Sequence, residues 1–387
     1  GDAGDVTTND TLNGVAVDDN DINITVTDTD GLTGVTIAAD GTLTVPANTP
    51  AGSYDIVYQI CEKLNSANCD TATATVTVDA APIVANDDAT PADLSSVNGF
   101  TGGDAGDVTT NDTLNGVAVD DNDINITVSN DGGLTGVTIA ADGTLTVPAG
   151  TVAGSYDVVY QICEKLNTAN CDSATATVVV DAAPITANDD ATPADLTSVN
   201  ALTGGDAGDV TTNDTLNGVA VDDNDINISV SNDGGLTGVT IAADGTLSVP
   251  NGTAAGSYNV LYQICEKAFP SNCDTATATV VVDAAPIVAN NDATPADLAS
   301  VNGFTGGDAG DVTTNDTLNG AAVDDNDINI SIFTTGGLTG VTIDANGIVS
   351  VPANTAAGTY NIVYRICEKL NPANCNNATA TITVDAP

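Results

Sequence analysis

The most regular pattern in the chain is the alternation of apolar and polar residues in short segments separated by turns. Between Ser155 and Leu166, Tyr156, Val158, Tyr160 and Ile162 alternate with Asp157, Val159, Gln161 and Cys163. Residues at every second position lie on the same face of a β-strand. This stretch is therefore predicted to be the longest strand of its unit, with the tyrosine-bearing face toward the core.

Shorter segments with strand character surround this one. They lie at 82–89, 105–110, 124–128, 136–140, 144–148 and 174–180. The sequence Ala141-Asp142-Gly143 between two of them is typical of a hairpin turn, and no segment has a helical period of apolar residues. About seven antiparallel strands in about 100 residues predict an immunoglobulin-like β-sandwich.

The whole pattern recurs along the chain. The sequence Gly-Asp-Ala-Gly-Asp-Val-Thr-Thr-Asn-Asp-Thr-Leu begins at Gly1, Gly103, Gly205 and Gly307, a period of 102 residues. We therefore divide the chain into repeat 1 (1–81), which lacks the first strand region, and the complete repeats 2 (82–183), 3 (184–285) and 4 (286–387). The joins read Asp-Ala-Ala-Pro without a Gly/Ser-rich linker, which predicts tandem modules in an extended, semi-rigid rod.

Composition narrows the range of functions. The chain has 53 acidic and 5 basic residues, for a formal net charge of −48, so nucleic acid is excluded as a partner. Because 42% of the residues are hydrophobic, the chain can nevertheless build a core. It contains no His, no phosphate-binding loop and no Gly-x-Ser-x-Gly sequence, and we predict that it is not an enzyme.

The cysteines occur as one Cys-x7-Cys pair in each repeat. Their even number and local pairing predict one disulfide per repeat, with free thiols or a metal site as the alternatives. Such disulfides indicate an oxidising, extracellular setting. The predicted pairs are Cys61 with Cys69, Cys163 with Cys171, Cys265 with Cys273, and Cys367 with Cys375.

Three short sequences carry a resemblance to known repeats: Ala85-Asn86-Asp87-Asp88, the stretch from Asp107 to Asp112, and Ala141-Asp142-Gly143-Thr144-Leu145. With them, the chain resembles the cadherin-like and VCBS-type tandem repeats of giant bacterial surface adhesins. It is also similar to repeats of Bacteroidetes proteins exported by the type IX secretion system, including gliding-motility adhesins. The resemblance implies a cell-surface filament of Ig-like modules, often with bound calcium.

Clustered carboxylates are the candidate calcium ligands, because hard cations bind several oxygen atoms at once. The resemblance implies that the closing Asp of one repeat meets the Asn-Asp-Asp sequence of the next. The alternative is that these residues form Asx turns and a solvated surface with diffuse counter-ions. The candidate ligands are Asp79, Asp87, Asp88, Asp107, Asn111, Asp112, Asp120, Asp121 and Asp123.

A second candidate modification is O-glycosylation. An Asp followed by Thr or Ser and then a small or apolar residue resembles the O-glycosylation motif of Bacteroidetes. The motif is short, so turn chemistry is the competing explanation. The candidate sites are Thr11, Thr71, Thr113, Ser173, Thr215, Thr275 and Thr317.

The repeats are nearly identical, which favours a function that depends on their number. We predict a structural stalk segment of a very large secreted surface adhesin, with flavobacterial gliding motility and surface attachment as its setting. The alternative is a repeated carbohydrate- or surface-binding module that acts by multivalency. The predicted partners are neighbouring repeats and, through other parts of the parent protein, surface polysaccharide or the outer-membrane motility and secretion machinery.

Overall fold

Strands connected by turns and loops make up the entire chain. The computed structural model describes residues 1–387 and contains no helix, so none of its elements is a helix able to cross a membrane. The residues form two compact units, Gly1–Ala182 and Ala183–Pro387. The predicted all-β class with recurring sheets is confirmed.

The first unit contains repeat 1 and nearly all of repeat 2. Repeat 1 has β1 (Asp2–Asp5), β2 (Thr11–Leu12), β3 (Val15–Ala16), β4 (Ile22–Asp28), β5 (Thr36–Ile37), β6 (Thr42–Thr44), β7 (Gly52–Glu62) and β8 (Cys69–Val78). Repeat 2 has β9 (Ile83–Val84), β10 (Asp88–Ala89), β11 (Val97–Asn98), β12 (Gly103–Asp107), β13 (Thr113–Leu114), β14 (Val117–Ala118), β15 (Ile124–Asn130), β16 (Thr138–Ile139), β17 (Thr144–Val147), β18 (Gly154–Glu164) and β19 (Cys171–Asp181).

The second unit contains repeats 3 and 4 with the same order of strands. Repeat 3 has β20 (Ile185–Thr186), β21 (Asp190–Ala191), β22 (Val199–Asn200), β23 (Gly205–Asp209), β24 (Thr215–Leu216), β25 (Val219–Ala220), β26 (Ile226–Asn232), β27 (Thr240–Ile241), β28 (Thr246–Val249), β29 (Gly256–Glu266) and β30 (Cys273–Asp283). Repeat 4 has β31 (Ile287–Val288), β32 (Asp292–Ala293), β33 (Val301–Asn302), β34 (Gly307–Asp311), β35 (Thr317–Leu318), β36 (Ala321–Ala322), β37 (Ile328–Thr334), β38 (Thr342–Ile343), β39 (Ile348–Val351), β40 (Gly358–Glu368) and β41 (Cys375–Asp385).

Each complete repeat has one large sheet and two small ones. In repeat 2 the large sheet has the order β10-β19-β18-β15, with β11 also on β19, and the small sheets are β12-β17-β16 and β14-β13-β9. Strands β18 and β19 form a long antiparallel ladder from Gly154 opposite Val180 to Cys163 opposite Cys171. Strands β10 and β11 instead run parallel to β19 along its other edge. The opening segment of each complete repeat therefore closes that edge of the long hairpin.

The core forms from the face that the alternation pattern predicts. In repeat 2, Val158, Tyr160 and Ile162 of β18 are fully buried, together with Val178 of β19 and Leu145 of β17. They belong to one cluster of apolar side chains. Burial of large side chains such as these stabilises a repeat by about 1.5–3 kcal/mol each relative to exposure.

Repeats 3 and 4 contact each other within the second unit. Leu202 of repeat 3 packs against the core cluster of repeat 4, and the Asn200 side-chain amide donates to Asn319 Oδ1 over 3.1 Å. The Asn374 amide of repeat 4 donates to the carbonyl of Ala285 over 2.6 Å. Apolar packing and hydrogen bonds thus join these two repeats directly.

Candidate functional site

A hydroxyl surrounded by acceptors lies in the core of repeat 2. Tyr160 on β18 points its Oη toward the segment before β10 and the turn before β13. The oxygens that surround it are Val108 O at 2.8 Å, Asn86 O at 3.0 Å, Asp88 Oδ2 at 3.1 Å, and both carboxylate oxygens of Asp112 at 3.2 Å. We call these five oxygens, with Tyr160 Oη, the oxygen cage. Because a hydroxyl has one proton, it can satisfy only one of them.

Two acidic sequence motifs come together at the cage. Asp88 begins β10, where it pairs with Ala176 of β19. The backbone N–H of Asn86 donates to Asp112 Oδ1 over 2.7 Å, and the Asn111 side-chain amide donates to Asp88 Oδ1 over 3.2 Å. The residues that open the repeat are therefore tied to the Asn-Asp turn that lies 24 positions later.

Burial dominates the electrostatics of this cluster. It raises the pKa of Asp88 from its ordinary value of 3.8 to about 7, with a further increase from the neighbouring Asp112 carboxylate and an opposing effect of the Tyr160 hydrogen bond. It raises the pKa of Asp112 to about 6. The pKa of Tyr160 is held far above its usual range by burial and by both carboxylates.

Repeats 3 and 4 reproduce the cage. Tyr262 faces Val210 O, Asn188 O, Asp190 and Asp214, and Tyr364 faces Asn290 O, Val312 O and Asp316. Burial raises the pKa of Asp190 and Asp292 to about 7 and that of Asp214 and Asp316 to about 6.

Several buried oxygens at the cages have no hydrogen-bond partner. They are Oδ1 of Asn111, Asn213 and Asn315, Oδ1 of Asp190, and Oδ2 of Asp292. Asp190 and Asp292 are each only 1% exposed. A buried acceptor without a donor costs about 1–3 kcal/mol, so the same deficit recurs in three copies.

Repeat 1 has only part of this arrangement. Its core tyrosine, Tyr58, donates to Val6 O or to Asp10 Oδ2, at 2.8 and 2.9 Å. The segment equivalent to residues 82–102, which contributes Asp88 in repeat 2, has no counterpart in repeat 1. Burial raises the pKa of Tyr58 to about 12.

A lysine already holds the loop 120–123, which contains three of the candidate ligands. Lys165 Nζ donates to the carbonyls of Asp121 and Asn122, at 2.9 and 2.8 Å. Asp120 Oδ1 accepts the backbone and side-chain N–H groups of Asn122, which lowers the pKa of Asp120. The same lysine bonds recur at Lys63, Lys267 and Lys369.

The remaining candidate ligands have separate roles in the structure. Asp107 Oδ1 accepts both the N–H and the hydroxyl of Thr109, and a Cβ on Gly143, at φ +79°, would lie 2.0 Å from that oxygen. Asp87 Oδ1 accepts the N–H of Thr175 on β19. Asp79 makes no hydrogen bond to the Asn-Asp-Asp sequence of repeat 2.

The predicted calcium ligands thus separate into groups. Asp88, Asn111 and Asp112 come together, while Asp79, Asp120 and Asp123 lie outside the cage. No group of three or more His, Cys, Asp or Glu side chains is arranged to hold a metal ion. The cage instead combines two carboxylates with an amide oxygen and backbone carbonyls, and such mixed oxygen sets are those that Ca²⁺ accepts. The unpartnered buried oxygens show that its residues fit a hard cation.

The four predicted disulfides are present. Each joins the facing ends of the long hairpin, as between Cys163 on β18 and Cys171 on β19, with an S–S distance of 2.03 Å. The others are Cys61–Cys69, Cys265–Cys273 and Cys367–Cys375. No cysteine is free, so the cysteines supply no metal ligand.

The candidate glycosylation sites fall into two groups. Thr11, Thr71, Ser173 and Thr275 are exposed. Thr113, Thr215 and Thr317 are half-buried in two-residue strands that pair with neighbouring strands. Glycosylation of either group stays a prediction.

Sequence reasoning missed the functions of Tyr160 and Lys165. A signal for the tyrosine was present, because a tyrosine on an inward face needs a partner for its hydroxyl. No local signal connects Lys165 to residues 121 and 122, since they are more than 40 positions away.

No protein-family model matches the chain, and no curated protein matches it. Among solved structures, it is similar to Drosophila N-cadherin EC1-3, with 12% identity and a TM-score of 0.29, over 77% of this chain and 99% of that one. It is similar to the human desmocollin-1 ectodomain, with 10% identity and a TM-score of 0.28, over 95% and 75% of the two chains. Because these TM-scores are low, the fold described above rests on the sheets of this chain alone.

Proposed function

We propose that this chain is a structural stalk segment of a large secreted cell-surface adhesin, in which residues 1–81, 82–183, 184–285 and 286–387 are successive immunoglobulin-like modules. The observation that carries the proposal is the recurrence of one architecture. The long hairpin with its terminal disulfide occurs four times, and the oxygen cage occurs three times. A function that increases with the number of copies uses such repetition.

The disulfides support an extracellular location for this segment. One bridge in each repeat is typical of proteins that work in oxidising compartments. The net charge of −48 keeps such a surface soluble and discourages contact with anionic membranes and nucleic acids. Flavobacterial gliding motility and surface attachment are the proposed setting, on the strength of the sequence resemblance.

Direct contacts between repeats support a mechanical function. Leu202 packs on the next repeat and the Asn200 amide reaches Asn319, so repeats 3 and 4 are not joined by a free linker. Neighbouring repeats are therefore the partners we propose for this segment. Polysaccharide or outer-membrane machinery would bind other parts of the parent protein, and calcium is the cation that we propose for the array.

Small-angle X-ray scattering of the full chain tests the stalk. A strand of ten residues rises about 33 Å, so four modules in series are expected to give a maximum dimension on the order of 150 Å. A much smaller dimension, typical of modules folded back on one another, would contradict a stalk. A glycan array with the same protein tests the alternative, because specific sugar binding would favour a multivalent binding module.

A further inference from the structure

The oxygen cages contain more acceptors than donors. At Tyr160, five oxygens lie within 3.2 Å of one hydroxyl. The only other donors at its two carboxylates are the Asn86 N–H and the Asn111 amide. Oxygen atoms at such distances repel one another unless a proton or a cation lies between them. The cage is therefore incomplete as a set of neutral hydrogen bonds.

Unpartnered oxygens mark where the deficit lies. In repeat 4 the Asn315 amide donates to Asp292 Oδ1 over 3.2 Å, while Asn315 Oδ1 and Asp292 Oδ2 are both buried without a partner. In repeat 3, Asp190 Oδ2 accepts from Tyr262 and its Oδ1 has no partner. Both carboxylates are 99% buried, since 1% of each residue is exposed.

We propose that each complete cage binds one Ca²⁺ ion inside its own repeat, through the paired aspartates, the neighbouring asparagine Oδ1 and the backbone carbonyls. The proposed ligand residues are Asp88, Asn111 and Asp112, with their counterparts Asp190, Asn213 and Asp214 and Asp292, Asn315 and Asp316. Cation binding at the cage is independent of the stalk function, because it needs only the fold of one repeat.

Charge favours a cation over a buried water molecule. A water could donate to two of the free oxygens, but it would leave two buried carboxylates without a counter-charge, which costs several kcal/mol. The lysine of each repeat is bound to the loop 120–123 and its counterparts. Since the chain has a net charge of −48, cations concentrate around it.

Ligand chemistry favours Ca²⁺ over smaller or softer ions. The cage offers oxygen atoms only, from carboxylates, an amide and backbone carbonyls, and Ca²⁺ accepts such mixed and irregular sets. Mg²⁺ demands near-ideal octahedral geometry and retains its waters. Softer metals prefer imidazole or thiolate ligands, and the chain has no His and no free cysteine.

The incomplete cage of repeat 1 gives a stoichiometry. Tyr58 and Asp10 are present there, but the segment that would contain the counterpart of Asp88 is not. The full chain should therefore bind three ions at the cages rather than four. A site formed by the loop 120–123 would instead occur four times, because Asp18 and Lys63 repeat it in repeat 1.

Luminescent titration of the full chain provides the test. After treatment with EDTA and removal of the chelator, Tb³⁺ is added and emission is excited through tyrosine, since each cage has a phenol at its centre. Ca²⁺ then displaces Tb³⁺, and calorimetry with Ca²⁺ alone gives the stoichiometry. We expect sensitised emission, its loss on adding Ca²⁺, and three sites per chain.

Two matched triple variants locate the site. The cage variant is Asp88→Asn, Asp190→Asn and Asp292→Asn, and the control is Asp120→Asn, Asp222→Asn and Asp324→Asn. Both remove three negative charges, and the control acids form exposed Asx turns. The cage variant should lose at least about tenfold in Ca²⁺ affinity, and the control less than about twofold.

Stability in EDTA separates binding from a folding defect. Since Asn is neutral and nearly isosteric with Asp, the cage variant should unfold at a temperature no lower than that of the wild type in EDTA. It should fail to gain stability when Ca²⁺ is added. Equal Ca²⁺ responses in both variants, four sites, or no Ca²⁺ binding by the wild type would overturn the proposal and leave a proton or water in the cage.

Discussion

Tyr160 Oη and Asp88 Oδ2 lie 3.1 Å apart although 72 residues separate them in sequence. The contact joins the longest strand of the repeat to its opening segment, which also closes the free edge of β19. Where the opening segment is missing, as in repeat 1, the tyrosine keeps only Val6 and Asp10 as partners. The integrity of a repeat and the chemistry of its cage therefore depend on the same segment.

Removing the cage hydroxyl should destabilise the chain. In the variant Tyr160→Phe, the oxygens around the hydroxyl lose a buried donor, and we expect a loss of about 1–3 kcal/mol in the free energy of unfolding. Urea unfolding followed by circular dichroism measures it. The matched control is Tyr156→Phe, whose exposed hydroxyl donates to Val152 O, with an expected loss below about 1 kcal/mol. Equal losses would contradict a special role for the cage.

In EDTA, stability is expected to fall as the pH rises from about 4 to about 7. Burial raises the pKa of Asp88 from 3.8 to about 7 and that of Asp112 to about 6. A carboxyl with a raised folded-state pKa favours folding while it is protonated. That contribution is complete below 3.8 and lost as the pH passes the folded pKa. Thermal unfolding at several pH values measures the slope, which the Asp88→Asn, Asp190→Asn and Asp292→Asn variant should reduce.

The loop 120–123 should loosen when its lysine is replaced. Lys165→Met removes two hydrogen bonds to the carbonyls of Asp121 and Asn122 but keeps the apolar stem of the side chain. We expect a loss of about 0.5–1.5 kcal/mol in stability and faster amide hydrogen exchange in this loop than in β18. Gln161→Met on the same strand, whose side chain makes one long exposed contact, serves as the control. Unchanged exchange in the loop would show that the lysine does not hold it.

Loss of a disulfide should weaken a repeat without changing its fold. The bond Cys163–Cys171 closes a short loop between residues that already face each other in the ladder. On a chain-entropy estimate, Cys163→Ser with Cys171→Ser should cost roughly 2–3 kcal/mol. Urea unfolding gives the loss, and circular dichroism should retain the β-sheet spectrum. Loss of the sheet signal in the absence of urea would show that the bridge is required for folding.

The contact between repeats 3 and 4 can be tested at one side chain. Leu202→Ala removes apolar packing on the core of repeat 4 and should cost about 1–3 kcal/mol, seen as a lower or split transition in calorimetry. Phe304 is the equivalent residue of repeat 4 and is 65% exposed, so Phe304→Ala is the matched control with little expected effect. Similar effects of both changes would argue against a specific contact.

Much of the fold could be predicted because its signals are local. The alternation from Tyr156 to Ile162 requires a strand with one buried face, and β18 spans Gly154–Glu164 as a result. The predicted first strand at 82–89 is instead two strands of two residues, Ile83–Val84 and Asp88–Ala89. They lie on different sheets, and residue pattern does not indicate to which sheet edge a short segment pairs.

The sequence by itself determined the 102-residue period, the all-β class and the four disulfides, because periodicity and short spacing are properties of neighbouring residues. Only the tertiary structure decided which acids act together. Asp88, Asp112 and Tyr160 meet because β10 lies along β19 and the turn before β13 packs over β18. Asp120 lies in a turn held by Lys165. Both sets of acids have the same composition, and burial, which depends on contacts between distant segments, separates them.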